Sequence, residues 1–463
     1  MILILINRLK GCWISNSSTS CGSVVLNFVM SIIHTIEEID ATWNENLNKK
    51  TMKLKKYRID DIADLNRSCI SKIDTISDIE YLDTSNITEN VIFDTYMLNI
   101  DNAPSRAQRK VSDKTILYST VRPRLKHYGI LNSPKDNFIV STGFVTIDIK
   151  EQYKEEIDAT YLYLLLTQPS ITEYISNIAD TAVSSYPSIN PSDIASIEFK
   201  FPSYGIQKLV ANIWSAFDRK IELNRAINQN LEAMAKQLYD YWFVQFDFPN
   251  EEGKPYKSSG GTMVWNEKLK REIPKGWNNG TLIDIANITM GQSPDGTSYN
   301  EIGEGVLFYQ GSTDFGMRFP SVRQYTTAPS RFAKKGDILM SVRAPVGAVN
   351  IANKDCCIGR GLSALNSKIG SITHLYYILN DLRIAFDQRN AAGTTFGSIT
   401  KEDLYSLPIV IPAKEVISAF DKICSPIFDR LMLLGEEIDT LIKQRDEFLP
   451  LLMNGQVSIN SDL

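Results

Sequence analysis

The chain has 463 residues, 43% hydrophobic and 22% charged, the balance of a soluble globular protein with room for two to four domains. Six cysteines (12, 21, 69, 356, 357, 424) and three histidines include no C-x-x-C pair, which argues against a zinc site and for a reduced, cytoplasmic setting. A net charge of −5 argues against a protein that grips nucleic acid unaided, because phosphate contacts dominate such affinity.

Residues 1–51 have no counterpart elsewhere in the chain, and Met52 opens a run that reads like a natural start. An upstream extension is the expectation. A degenerate signal peptide is the competing reading, and it lacks a small-residue cleavage site after its apolar run. That run, Val24 to Ile33, is broken by Asn27 and Ser31 and is too short to span a membrane.

From residue 52 to 202 the pattern predicts short strands broken by turns, with a few helices. A strand is expected over Phe138 to Ile149, interrupted at Gly143, and a helix over Tyr161 to Leu166. Between 105 and 126, Arg106, Arg109, Lys110, Lys114, Arg122, Arg124 and Lys126 face a single acid, Asp113. A long helix follows over 203–247. Val210, Ile213, Phe217, Ile227, Leu231, Met234, Leu238 and Tyr241 fall on a three-four spacing in it, with Lys220 and Asn224 at seam positions between them. This is a coiled-coil stripe with a polar interruption of the kind that sets register. Trp242-Phe243-Val244-Gln245-Phe246-Asp247-Phe248-Pro249 then runs into a polar linker over 248–269.

The second half restates the first. Ser341-Val342-Arg343-Ala344-Pro345 answers Ser119-Thr120-Val121-Arg122-Pro123, and residues 398–407 answer 188–197 at a displacement of 210 positions. Ile285-Ala286-Asn287-Ile288 answers Ile62-Ala63-Asp64-Leu65. A strand is predicted at Ile338 to Val342 and a helix at Leu375 to Leu382. Between 318 and 343, Arg318, Arg323, Arg331, Lys334, Lys335 and Arg343 oppose only Asp337. A second long helix over 413–455 carries Phe428, Leu431, Leu434, Ile438, Leu441 and Phe448, with Gly435 as a weak point. A repeat this long is a duplicated domain rather than a solenoid. The fold class expected is therefore α+β: two similar mixed domains, 52–202 and 270–412, separated by two antiparallel coiled-coil helices, each roughly 60 Å long.

The chain has no G-x-x-x-x-G-K-[ST] loop, no Asn/Asp-Pro-Pro-aromatic motif of amino-methyltransferases and no G-x-S-x-G elbow. Asp193, Glu198 and Lys200 resemble the metal-holding acids and lysine of a nuclease. The repeat weighs against that reading, since Pro408 and Val410 stand where Glu198 and Lys200 would recur, and Asp193 reads as a capping or turn residue. Tyr309-Gln310-Gly311-Ser312-Thr313-Asp314 and Tyr81-Leu82-Asp83-Thr84-Ser85-Asn86 are polar loops at nearly the same place in the two copies. Such side chains hydrogen-bond base edges, and arginine grips guanine or phosphate. An ordinary polar loop and a solvated basic face explain either copy alone; their recurrence favours a reader of two half-sites.

In these features the chain resembles the specificity subunit of type I restriction-modification systems. The resemblance rests on Trp242 to Pro249 with its linker, Glu272-Ile273-Pro274-Lys275-Gly276-Trp277, Gly291-Gln292-Ser293-Pro294, Tyr309-Gln310-Gly311-Ser312 and the segment 341–345, and it covers residues 52 to 455. It implies a non-catalytic cytoplasmic protein whose two target-recognition domains each read half of a bipartite double-stranded DNA target. The paired helices would fix the gap and dock two methyltransferase subunits, with restriction subunits joining them. The chain itself would hold no cofactor, and S-adenosylmethionine, Mg²⁺ and ATP would sit on the partners. Candidate DNA contacts are Thr84, Ser85, Asn86, Lys110, Arg122, Arg124 and Lys126 in the first domain, and Gln310, Ser312, Thr313, Asp314, Arg343 and Arg360 in the second. Arg122 and Arg343 lead because they match across the copies. A coiled-coil scaffold without a DNA role and a stand-alone metal-dependent endonuclease are the alternatives.

Overall fold

The computed structural model of the chain describes residues 54–71, 77–181, 187–391 and 397–453. The expected extension 1–51 and the start at Met52 lie outside them. Two units emerge: one holds the residues up to Arg219 together with those from Lys443 on, the other Lys220–Ile442.

In the first unit, a four-stranded sheet runs Ala63–Leu65, Phe144–Ile149, Ile116–Ser119, Tyr128–Ile130, and a second runs Tyr96–Asn99, Asp78–Leu82, Phe138–Ser141, Ala107–Lys110. The expected break at Gly143 is where the chain leaves one sheet and enters the other. Period-two alternation sets the layering. Ile116, Tyr118, Val145 and Ile147 turn to the helices Ala159–Leu166 and Pro169–Asp180, while Leu117 packs with Leu82, Phe138 and Val140 of the other sheet. Both faces are covered, so Phe144–Ile149 is buried on both sides, Thr146 included, except at the half-buried Asp148.

The second unit repeats this plan. Its sheets run Ala286–Met290, Leu362–Ser367, Ile338–Ser341, Val349–Ile351, and Tyr299–Asn300, Gln324–Thr326, Val306–Tyr309, Cys356–Ile358, Phe332–Ala333. Each unit contains one parallel pair at the same place, Asp78–Leu82 beside Phe138–Ser141 and Val306–Tyr309 beside Cys356–Ile358. Ile338 and Met340 face the helices; Leu339 faces Tyr309, Cys356 and Ile358. The repeat holds down to its capping: Asn190 and Asp193 box the helix Pro191–Ala195 as Thr400 and Asp403 box Lys401–Tyr405.

The long helices are Tyr204–Tyr239, continued by a π-helical turn over Asp240–Val244, and Lys414–Met453. They run antiparallel within each unit. Phe217 meets Phe448 in the first. In the second, Lys220 meets Glu437 and Tyr239 meets Phe420. The stripe expected on the second helix is buried from Phe428 to Leu441 and extends back through Cys424, Phe420 and Ile417. On the first helix the expected seam positions Lys220 and Asn224 hold, Lys220 meeting Glu437 and Asn224 being buried, but the apolar stripe needs correction beyond Phe217. The buried face continues as Ile221, Asn224, Asn228, Ala235 and Tyr239, while Met234 and Tyr241 are exposed. The true seam there is polar and small, so hydrophobicity alone selects the neighbouring face.

The aromatic segment at the end of the helix is core, and it reaches Phe248 at the start of the expected linker. Trp242, Phe243, Phe246 and Phe248 are buried, and Phe243, Phe246 and Phe248 pack around Trp277. Asp247 accepts hydrogen bonds from the amide and hydroxyl of Ser258 at 2.7 and 2.6 Å, folding the following turn back onto it.

Candidate nucleic-acid interface

In the second unit, three of the sequence segments singled out above converge on the turn Gly359-Arg360-Gly361. The Gly359 amide donates to the Tyr309 carbonyl at 2.8 Å and that of Gly361 to the Gln310 carbonyl at 3.2 Å. Gly291 donates to Leu362 at 2.9 Å, and Val342 donates to Gly361 at 2.9 Å. The glycines are required by proximity. A Cβ on Gly291 would lie 2.2 Å from the Gly359 carbonyl oxygen, and one on Gly361 would lie 2.6 Å from that of Gln310. Gln310 is half-buried against this turn, its amide 3.0 Å from the Ser293 hydroxyl, which also accepts from the Arg360 amide at 3.2 Å.

Gln310 therefore helps to build the junction, and Asp314 is buried, accepting from the Gln310 amide at 2.8 Å. At the tip Thr313 is exposed and Ser312 half-buried, and the side chains of Arg343 and Arg360 are exposed on the neighbouring segments. Arg323, absent from the sequence candidates, reaches to 4.0 Å of Asp314 with 60% of its side chain exposed.

The first unit has the same junction. Thr120 donates to the Gly143 carbonyl at 2.9 Å, as Val342 does to that of Gly361. Its loop differs in chemistry. Asp83 accepts from Tyr81 at 2.8 Å and lies 3.3 Å from Arg106. Burial pushes its carboxyl up, but hydrogen bonds from Tyr81 and the Ser85 amide, with Arg106 nearby, hold it below the usual range. Asn86 is buried, donating to the Asp94 carbonyl at 3.3 Å; Thr84 lies against Gly143, and Ser85 alone of the three is exposed. Residues 77–105 contain six acids and no lysine or arginine. The basic side of this unit is instead 106–126. There Arg122 is exposed, Arg124 pairs with Asp180 at 2.8 Å, Lys126 pairs with Glu89, and Lys110 is half-buried on the edge strand Ala107–Lys110.

The expected match of Arg122 with Arg343 is corrected by the backbone. Arg343 bridges to Ser398, and the residue bridging to Ser188 is Val121. Arg122 donates its amide to Pro187, as Ala344 does to Gly397. The two arginines flank corresponding turns one position apart. The nuclease trio does not assemble: Asp193 accepts from the Asn190 amide at 2.7 Å and Glu198 pairs with Lys56. Among the described residues, no group of three or more His, Cys, Asp or Glu is placed to hold a metal ion.

The sequence profile of the type I restriction modification DNA specificity domain matches twice, over residues 51–233 and 274–444. The chain belongs to this family, the specificity subunits of type I restriction-modification systems. Each of its two matches contains one copy of the junction just described. The putative type I restriction enzyme MjaX specificity subunit of Methanocaldococcus jannaschii is 32% identical over 315 residues, covering 66% of this chain and 70% of that relative. The type I restriction enzyme HindI specificity subunit of Haemophilus influenzae is 25% identical over 463 residues, covering 86% of this chain and 98% of its own length. The crystal structure of a type I restriction-modification system S subunit from M. genitalium shares the fold at a TM-score of 0.53 and 18% identity, covering 87% of this chain and 97% of that one. No helix among the described residues of this specificity subunit is long and apolar enough to cross a membrane.

Proposed function

We propose that the chain reads a bipartite double-stranded DNA target, one half-site for each junction, and directs partner subunits to it. The observation that carries this reading is the exposed pair Arg343 and Arg360 on two backbone segments joined by the Val342 to Gly361 hydrogen bond, beside the Ser312–Thr313 tip. Guanidinium groups and hydroxyls presented together on rigid turns suit phosphates and base edges. In the first unit the corresponding group is Arg122 with Ser85, and Thr84, Arg124, Lys126 and Lys110 have lesser shares because each is engaged or half-covered. Asn86, Gln310 and Asp314 shape the loops that present the readers.

The antiparallel helices hold the half-sites at fixed spacing and dock two methyltransferase subunits, to which restriction subunits attach. S-adenosylmethionine, Mg²⁺ and ATP bind those partners, which carry out methylation and cleavage in the cytoplasm. Because the partners share in gripping DNA, an acidic chain is adequate for the task.

The test is a single-molecule methylation map of DNA from cells expressing this chain with its neighbouring methyltransferase gene, against cells expressing the methyltransferase alone. Methyladenine at one bipartite motif, present only with this chain, is the expected result. A soluble complex that adds no motif points to the scaffold reading and removes the DNA-contact assignments.

A further inference from the structure

The loop that carries the Ser312–Thr313 tip has a second end, pressed into the helix pair of its own unit. Four residues beyond Asp314, Arg318 donates to Glu232 of the first long helix at 2.6 Å and to the Tyr376 hydroxyl at 2.9 Å. Only 10% of its side chain is exposed. The adjacent Phe319 is buried over Gly435 of the second long helix, where a Cβ would lie 2.8 Å from its ring. Gly435, a weak point in the apolar stripe, is thus a notch that admits the Phe319 ring.

Tip and foot are one rigid piece. Phe315 bridges to Pro320, the Gly316 amide donates to the Phe319 carbonyl at 3.1 Å, and the Ser321 amide donates to the Asp314 carbonyl at 2.7 Å. The foot is also tied to its own sheet, since Asn350 donates to the Gly316 carbonyl at 3.0 Å and the Ile351 amide to that of Arg318 at 3.1 Å.

We propose that Arg318 and Phe319 are positioning residues that fix the second reading tip to the helix pair through Glu232 and the Gly435 notch. They touch no base; they set where the tip stands along the helices, and so which spacing of the second half-site is accepted. This rests on the DNA-reading function proposed above.

The experiment maps methylation by the intact methyltransferase complex carrying Gly435→Leu, with thermal unfolding measured in parallel. Methylation of the cognate motif falls roughly tenfold, the scale of a coupling between contacting groups. It spreads to sites whose second half is displaced by one base pair, while the first half-site is unchanged. Adding Phe319→Ala removes the ring the new leucine displaces and restores the cognate motif. A uniform loss at the original motif, or no change, overturns the proposal. Should Gly435→Leu give no soluble complex, Glu232→Gln replaces it: the same spread supports the positioning role, and an unchanged motif overturns it. A wild-type complex that yields no bipartite motif fails the functional reading instead, and this inference falls with it.

Discussion

Lys220 Nζ and Glu437 Oε1 lie 3.2 Å apart between the long helices of the second unit, with 20% and 10% of their side chains exposed. Asn224 and Asn228 continue this polar stretch of the seam, and the amide groups of both are buried without partners among the described residues. Removing one charge of such a pair strands the other. Lys220→Met should therefore cost roughly 2 kcal/mol in urea unfolding, short of the fully buried case because the lysine keeps some water. Lys220→Met with Glu437→Leu should recover most of that loss. Equal losses in the single and double variants would show that the pair contributes packing alone.

The junction glycines separate fold from reading. Gly291→Ala forces a methyl to 2.2 Å of the Gly359 carbonyl oxygen, so it should destabilise the second unit by roughly 2 kcal/mol and abolish methylation of its half-site. Gly311 has an extended backbone and open space around its Cβ position. Gly311→Ala should leave the melting temperature unchanged, so any effect on methylation reports the tip itself. Comparable melting shifts in the two variants would contradict the close-approach account.

The duplication was legible because its punctuation is local. Asn190 with Asp193 and Thr400 with Asp403 cap helices at equal displacement, and Gly143 marks the crossing between sheets. What stayed hidden is set by partners far along the chain. Nothing local says that Lys55–Arg58 pairs with Glu198–Phe201, or that Arg318 belongs to Glu232. The seam beyond Asn224 escaped because Asn228 and Ala235 occupy it while Met234 faces solvent. The arginine match failed differently. Gapless alignment of the two five-residue segments already sets Arg122 against Ala344, and similarity of composition masked the one-position offset.

That offset makes the arginines separable. Arg343 is exposed, so Arg343→Ala should change stability by no more than about 0.5 kcal/mol. Methylation should fall by roughly tenfold or more, the scale of a lost base contact, with relaxed sequence preference confined to the second half-site. Arg122→Ala should do the same at the first half-site only. Kinetics on oligonucleotides mutated in one half-site distinguish the two. Unchanged methylation at equal expression would remove either assignment.

His374 gives the second unit a pH dependence. Its imidazole is buried against Phe243, with ring centroids 4.6 Å apart, and its Nδ1 has no hydrogen-bond partner among the described residues. Burial disfavours the cation and pushes the pKa down to about 4. The unfolded chain protonates this histidine near pH 6.5, whereas the folded chain does so only near pH 4. Above pH 6.5 both states are neutral and the group contributes no slope. Between pH 6.5 and 4 the unfolded state binds the extra proton, so stability falls as pH falls, by roughly 3 kcal/mol across the window. Carboxylates titrate in its lower part, so the informative quantity is the difference between wild type and His374→Phe, which keeps an aromatic ring and removes the titration. Denaturant midpoints of the variant should decline less steeply from pH 6.5 to 4. Parallel profiles would mean that His374 takes up its proton in the folded state as readily as in the unfolded one.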